Sequence, residues 1–243
     1  MMIRYLAILS YDGTNYNGFQ RQENTKNTIQ EIIEDALKKI FEREIKIFAA
    51  GRTDKGVHAF GQVFHFDLDF EIDVLNIKNK LNLILSTGIK IIKLKKTKKR
   101  FHARFDAKYR IYEYHIAKSE SNILKERFEC YVDKFDINLV KPFLYKFIGI
   151  KNFKIFSKKD DTKIPIKVLY YIKVKESSNK YIFEFKGNGF LRGMVRKIMG
   201  LIIKIGIGEE KGEIIDYLFD VKSQKISLHS APAKGLFLKK VIY

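Results

Sequence analysis

An α+β fold of two β-α-β-β-α-β halves is what this sequence predicts. Three observations carry it. Apolar residues alternate with period two in several short stretches and recur with the helical period in others. These periods run in the order strand, helix, strand, strand, helix, strand over residues 1–100, and the order runs again over residues 101–243. Hydrophobic residues make up 46% of the 243, enough for a core in each half and too many for a disordered chain.

Residues 3–10 alternate as the first strand. "TIQEIIEDALKKIF" (28–41) sets Ile29, Ile32, Ile33, Ala36, Leu37, Ile40 and Phe41 on one helical stripe. Thr28 with Glu31 forms a capping box at its start. Residues 44–50 and 61–70 read as strands. In the second of these Phe64, Phe66, Leu68 and Phe70 alternate with His65, Asp67 and Asp69. "DVLNIKNKLNLI" (73–84) reads as a helix capped by Asp73, and "IKIIKLKK" (89–96) as a strand. In the second half, "YRIYEYHIA" (109–117) is a strand. "INLVKPFLYKFI" (137–148) is helical, with Pro142 near its first turn. "KVLYYIKVK" (167–175) and "KYIFEFK" (180–186) form a hairpin across "ESSN". "GMVRKIMGLIIKIG" (193–206) is a helix and "LFLKKVIY" (236–243) a closing strand. This is the ferredoxin-like order, without residue-level repetition, and two such halves suggest a cleft between them.

The chain carries 47 basic and 28 acidic residues, a formal net charge of +19. That excess favours a polyanionic partner, nucleic acid before an anionic membrane surface. The basic run "KKTKKR" (95–100) sits at the junction of the halves, where it is either a solvated linker or a phosphate contact. The single cysteine, Cys130, forms no internal disulfide and reads as a small packed residue. The start "MMIRYLAILSYDGT" is broken by Arg4 and reads as a strand, not a signal peptide. No apolar run approaches the ~20 residues of a membrane span. No membrane association and a cytoplasmic location are the expectations.

Several motifs fail on inspection. "GRTDKGV" (51–57) has P-loop glycine spacing, but Val57 stands where the phosphate-binding lysine belongs. "GNGFLRG" (187–193) has one residue too many for a dinucleotide-binding fingerprint. His58, His65, His102, His115 and His229 show no metal-ligand spacing, and no paired-carboxylate or Ser-His-Asp pattern stands out. Asp54 remains. It lies in a polar loop, "AGRTDKGVH" (50–58), flanked by the cations Arg52 and Lys55 and by Gly51 and Gly56, which allow close backbone approach. Such an aspartate is either a nucleophile or base, or a turn residue making a local Asx hydrogen bond.

"AGRTDKGVHAFGQVFHF" (50–66) closely resembles the signature of the tRNA pseudouridine synthase A family. "YDGTNYNGFQRQ" (11–22), "FHARFDAKYRIYEY" (101–114), "GNGFLRGMVRKIMG" (187–200) and "SAPAKGLFL" (230–238) resemble that family's other motifs, in its order. The resemblance implies two ferredoxin-like halves with antiparallel sheets joined side by side and a basic active-site cleft between them. It implies Asp54 as the catalytic carboxylate, Tyr112 as the aromatic face for the target uracil, and Arg196 as the cation paired with the aspartate. It places Arg52 at the site of the flipped-out nucleotide, with Lys55, His58, Arg104 and Arg110 as further RNA contacts. It further implies a homodimer that isomerises uridines of the tRNA anticodon stem-loop without metal or organic cofactor. Two positions depart from the family pattern. Phe19 stands where Trp is usual, and Glu113 where a basic residue is common; by strand alternation Glu113 points away from Tyr112. A non-catalytic RNA-binding module also fits the charge, but leaves the Asp54 loop unexplained. A nucleoside-cleaving hydrolase would need a second, partnered carboxylate.

Overall fold

The first strand forms as read: β1 (Ile3–Tyr11) buries Tyr5, Ala7, Leu9 and Tyr11 in alternation. The computed structural model describes residues 2–85, 87–120, 123–158, 164–220 and 226–243. They fall into two compact units, Met1–Lys108 with Phe237–Tyr243, and Tyr109–Leu236. The closing strand groups with the first unit. The α+β class is as predicted.

In the first unit, α1 (Ile29–Phe41) starts at Thr28, whose side chain accepts from the Glu31 N–H. Such a cap is worth about 1 kcal/mol. Ile29, Ile33, Ala36 and Leu37 are buried. The strand expected at 44–50 shrinks to β2 (Phe48–Ala49). The cause is Glu34, whose buried carboxylate accepts the Ile47 N–H at 3.1 Å. A backbone donor taken by a side chain is lost to the ladder. β3 (His58–Leu68) begins three residues earlier than expected and stops at Leu68, leaving Phe70 exposed. α2 (Val74–Ile84) is capped by Asp73, which accepts from Leu75 and Asn76. β4 (Ile89–Thr97) completes the β-α-β-β-α-β order.

β1 lies between β4 and β3, antiparallel to both. The other edge of β3 is shared. β2 pairs along Phe64–His65, and β10 (Leu236–Ile242) runs parallel beside His58–Ala59. One sheet face carries Tyr5, Ala7, Phe64 and Phe66 in the core. The other carries Arg4, paired with Asp67 at 2.6 Å, and His65.

In the second unit, β5 (Tyr109–Ala117), β9 (Lys180–Gly187), β8 (Ile166–Glu176) and β7 (Gly149–Asn152) form antiparallel neighbours in that order. A short β6 (Cys130–Tyr131) runs parallel to β5. The helix expected at 137–148 is two 3-10 segments, Ile137–Leu139 and Lys141–Phe147. Pro142 has no N–H for an α-helical bond, and the chain closes tighter turns instead, Val140 N–H to Ile137 C=O and Phe143 N–H to Val140 C=O. α3 (Met194–Gly206) buries Val195, Ile198, Met199, Ile202 and Ile205. The short α4 (Ile214–Phe219) has no counterpart in the sequence reading. Cys130 is buried, and burial pushes its thiol up. Among the described residues no helix is long and apolar enough to cross a membrane, and no group of three or more His, Cys, Asp or Glu side chains is arranged to hold a metal.

Candidate functional site

Asp54 sits half-buried on the loop that leads into β3. The loop turns on itself through the Val57 N–H to Asp54 C=O bond, 3.1 Å, with Gly56 in the left-handed region. A second loop, residues 12–19, clamps it. The Phe19 N–H donates to the Thr53 carbonyl at 3.1 Å, and the Tyr11 and Thr53 hydroxyls share a buried 2.8 Å hydrogen bond. The Gly13 N–H donates to His58 Nδ1 at 3.0 Å. The backbone on both sides of Asp54 is therefore pinned, a condition for a carboxylate that must meet one atom of a substrate.

The flanking residues divide by exposure. Arg52 and Lys55 are exposed and reach solvent. His58 does not. It is 1% exposed and stacked on Phe237 at 4.8 Å, so it braces the Gly13 turn from inside. Phe19 is also inside, its ring 6.2 Å from Tyr11. Arg104 is exposed in the first unit.

In the second unit, Tyr112 pairs across the sheet with Phe185 and meets Phe190 edge-on at 5.0 Å. It is buried, with Phe190 on the loop that opens α3. Arg110 donates to the Asn188 carbonyl of the same loop at 3.1 Å. Arg196 lies in the first turn of α3, where the helix dipole disfavours a cation. It is held there by the segment 229–235. Its Nε donates to the Ala231 carbonyl at 2.8 Å, and the Ala231 N–H donates to the Arg196 carbonyl at 2.8 Å. The next residue of that segment is fixed in turn, since the Tyr114 hydroxyl donates to the Pro232 carbonyl at 2.9 Å. Burial pushes the Tyr114 phenol well above its ordinary value, which keeps it a donor. Glu113 faces away from Tyr112, as alternation requires. It is buried 3.3 Å from His115 Nε2 and opposite Glu184, which accepts from the Tyr171 hydroxyl.

The family model for tRNA pseudouridine synthase matches residues 7–106 and 144–243. The chain is 39% identical over 240 residues to the tRNA pseudouridine synthase A of Phytoplasma mali (strain AT), covering 98% of both chains. It is 42% identical over 245 residues to that of Borrelia turicatae (strain 91E135), covering all of both. The chain belongs to the tRNA pseudouridine synthase A family. It is an isomerase that converts uridine to pseudouridine in tRNA. Arg52, Asp54, Lys55, Arg104 and Arg196 lie within the residues matched to the family model; Arg110 and Tyr112 fall between its two segments.

The synthase's clamp residues escaped the sequence reading, which noted Gly51 and Gly56 for close approach to a ligand. Within the clamp, Gly13 and Gly18 sit hard against the facing backbone. A Cβ on Gly13 would lie 2.0 Å from the Val57 carbonyl oxygen. One on Gly18 would lie 2.9 Å from the Thr53 oxygen, at a φ of +91°. The only signal was the pair of glycines in "YDGTNYNG". Gly18→Ala is expected to cost about 2 kcal/mol or more in urea unfolding, from left-handed strain and backbone overlap together. Its turnover should fall about tenfold or more, because relief of the clash displaces Thr53 and Asp54. Unchanged stability and turnover would contradict the clamp.

Proposed function

We propose that this synthase modifies uridines of the tRNA anticodon stem-loop, in the cytoplasm and as a homodimer, with Asp54 as its catalytic carboxylate. The observation that carries the Asp54 assignment is the Gly51-Arg52-Thr53-Asp54 motif on a loop clamped from both sides of the aspartate. The reaction breaks the C1′–N1 bond, turns the uracil and forms a C1′–C5 bond; the C5 proton leaves and N1 gains one. Nothing is oxidised and no group is donated, so one carboxylate suffices. It acts as nucleophile toward C1′ or C6, or as base toward the 2′ proton.

Tyr112 holds the loosened base. An aromatic face retains uracil without fixing its rotation, and base stacking is worth ~1–3 kcal/mol. Arg196 supplies a fixed cation for the carboxylate. Extruding the target base costs a few kcal/mol, and Arg52 braces the site of the flipped nucleotide. Lys55, Arg104 and Arg110 meet the RNA, which gives salt-sensitive binding guided by shape. The matches of the quoted motifs support these roles, and for Arg52 and Lys55 so does exposure beside Asp54.

The test is pseudouridine mapping in an unmodified full-length tRNA transcript incubated with the purified protein. Product is expected in the anticodon stem-loop. Product confined to other regions would overturn the site assignment, and release of free uracil would point to hydrolysis.

A further inference from the structure

The first unit carries an aromatic ladder that the reaction does not use. Phe48 stacks on His65 with ring centroids 5.2 Å apart, His65 meets His102 at 4.8 Å, and His102 meets Phe105 at 4.3 Å. The Arg104 guanidinium stands 5.8 Å from the Phe105 ring centroid. The inner rung, His65, is 1% exposed, while Phe48 is 48% and Phe105 76% exposed.

Looseness does not account for that exposure, because the segment bearing Phe105 is pinned to the sheet. The Ala103 N–H donates to His65 Nδ1 at 3.1 Å, and Arg4, held by Asp67, donates to the Phe101 carbonyl at 2.6 Å. The Tyr243 hydroxyl donates to the Ala103 carbonyl at 2.8 Å, and the His102 N–H to Asp106 at 2.9 Å. A rigid backbone therefore presents a large aromatic ring to water. Burial, and then the nearby Arg4, hold His65 down to about 4; burial lowers His102 as well. Both imidazoles are neutral rings at neutral pH and add flat surface without charge. Lys98, Lys99, Arg100 and Arg104 around the ladder are exposed.

We propose that Phe105, with His102 and Phe48 behind it, is a stacking platform for an unpaired base of the tRNA substrate other than the uridine that reacts. An exposed aromatic ring among cations is the chemistry that binds single-stranded bases. A second copy of the chain is the poorer occupant, because a two-fold contact would set these cations against their own equivalents. Phe48 precedes the Asp54 loop by two residues and the Ala50 N–H donates to the Val63 carbonyl at 2.7 Å, so the platform flanks that loop without belonging to it. The base it takes is therefore a different one from the reacting uridine.

The proposal rests on tRNA being the substrate and is independent of the role of Asp54. The test measures binding of an unmodified full-length tRNA transcript over a KCl series. Phe105→Ala should raise Kd and KM between about fivefold and a hundredfold, with the slope of log affinity against log salt unchanged. Phe105→Trp should bind as wild type, and Phe105→Leu, which keeps apolar area and folding, should behave as Phe105→Ala. Arg104→Gln should lower the salt slope by about one. Wild-type affinity in Phe105→Ala overturns the proposal, as does equal binding by the Leu and Trp variants. A change in the sedimenting mass of Phe105→Ala would also overturn it, by making the patch a contact between copies. Loss of product in Asp54→Asn with unchanged binding leaves this test untouched.

Discussion

Asp54→Asn is expected to lower pseudouridine formation by on the order of 10³-fold or more while leaving tRNA affinity within about twofold. The substitution is nearly isosteric, so the comparison isolates the carboxylate. The bonds that pin the loop come from elsewhere: Phe19 to Thr53, Tyr11 to Thr53, Gly13 to His58, and the Asp54 carbonyl itself. None of them uses the Asp54 side chain, so the backbone remains where it was. What changes is chemistry, since an amide neither attacks carbon nor takes a proton at useful rates. Binding should persist because affinity for RNA comes mostly from phosphate contacts, and the exposed Arg52 and Lys55 remain. Single-turnover formation of pseudouridine in a tRNA transcript, with binding measured in parallel, reads both quantities. Product at the wild-type rate would remove Asp54 from the chemistry and revive the turn-residue reading. Loss of binding together with loss of product would make the loop a recognition element.

The sequence made local features legible where local physics decides them. Thr28 and Asp73 cap helices because their side chains reach the next turn's N–H groups, a short-range interaction that spacing alone reveals. β5 was readable to the residue, although its second half is buried on both faces. The misreadings came from side chains or backbone acting across the chain. Glu34 takes a backbone donor from Ile47, and no periodicity records that theft. His58 read as one of a row of polar loop residues, but it is the first residue of β3 and packs beneath Phe237, far along the chain. For the site, the aspartate's identity came from a motif. What holds it came only from the fold, because glycines at 13 and 18 reveal nothing until their neighbours are known.

Arg196 extends that contrast to a prediction. A cation in the first turn of α3 opposes the helix dipole at a cost of about 0.3–1 kcal/mol. Its Nε bond to Ala231 fixes the plane of the guanidinium, and the reciprocal backbone bond fixes the helix to the same residue. A position that breaks a local rule and is then braced from a distant segment is where function is expected. Arg196→Met keeps comparable length and removes the charge. It should lower kcat by about 10²–10³-fold, the loss seen when a fixed electrostatic partner is removed from a reacting centre. KM for tRNA should change little, since one phosphate-independent contact is lost. Thermal stability should fall modestly, because the lost Nε bond to the buried Ala231 carbonyl outweighs the relieved dipole penalty. A role confined to structure predicts the same lower melting temperature with turnover near normal. Arg196→Lys separates charge from geometry. Lysine restores the cation but has no Nε to meet the Ala231 carbonyl in the guanidinium's plane, so partial recovery is expected. Full activity in Arg196→Met would exclude the residue from catalysis. Full recovery in Arg196→Lys would show that the charge alone matters and that the bracing by Ala231 serves only the helix.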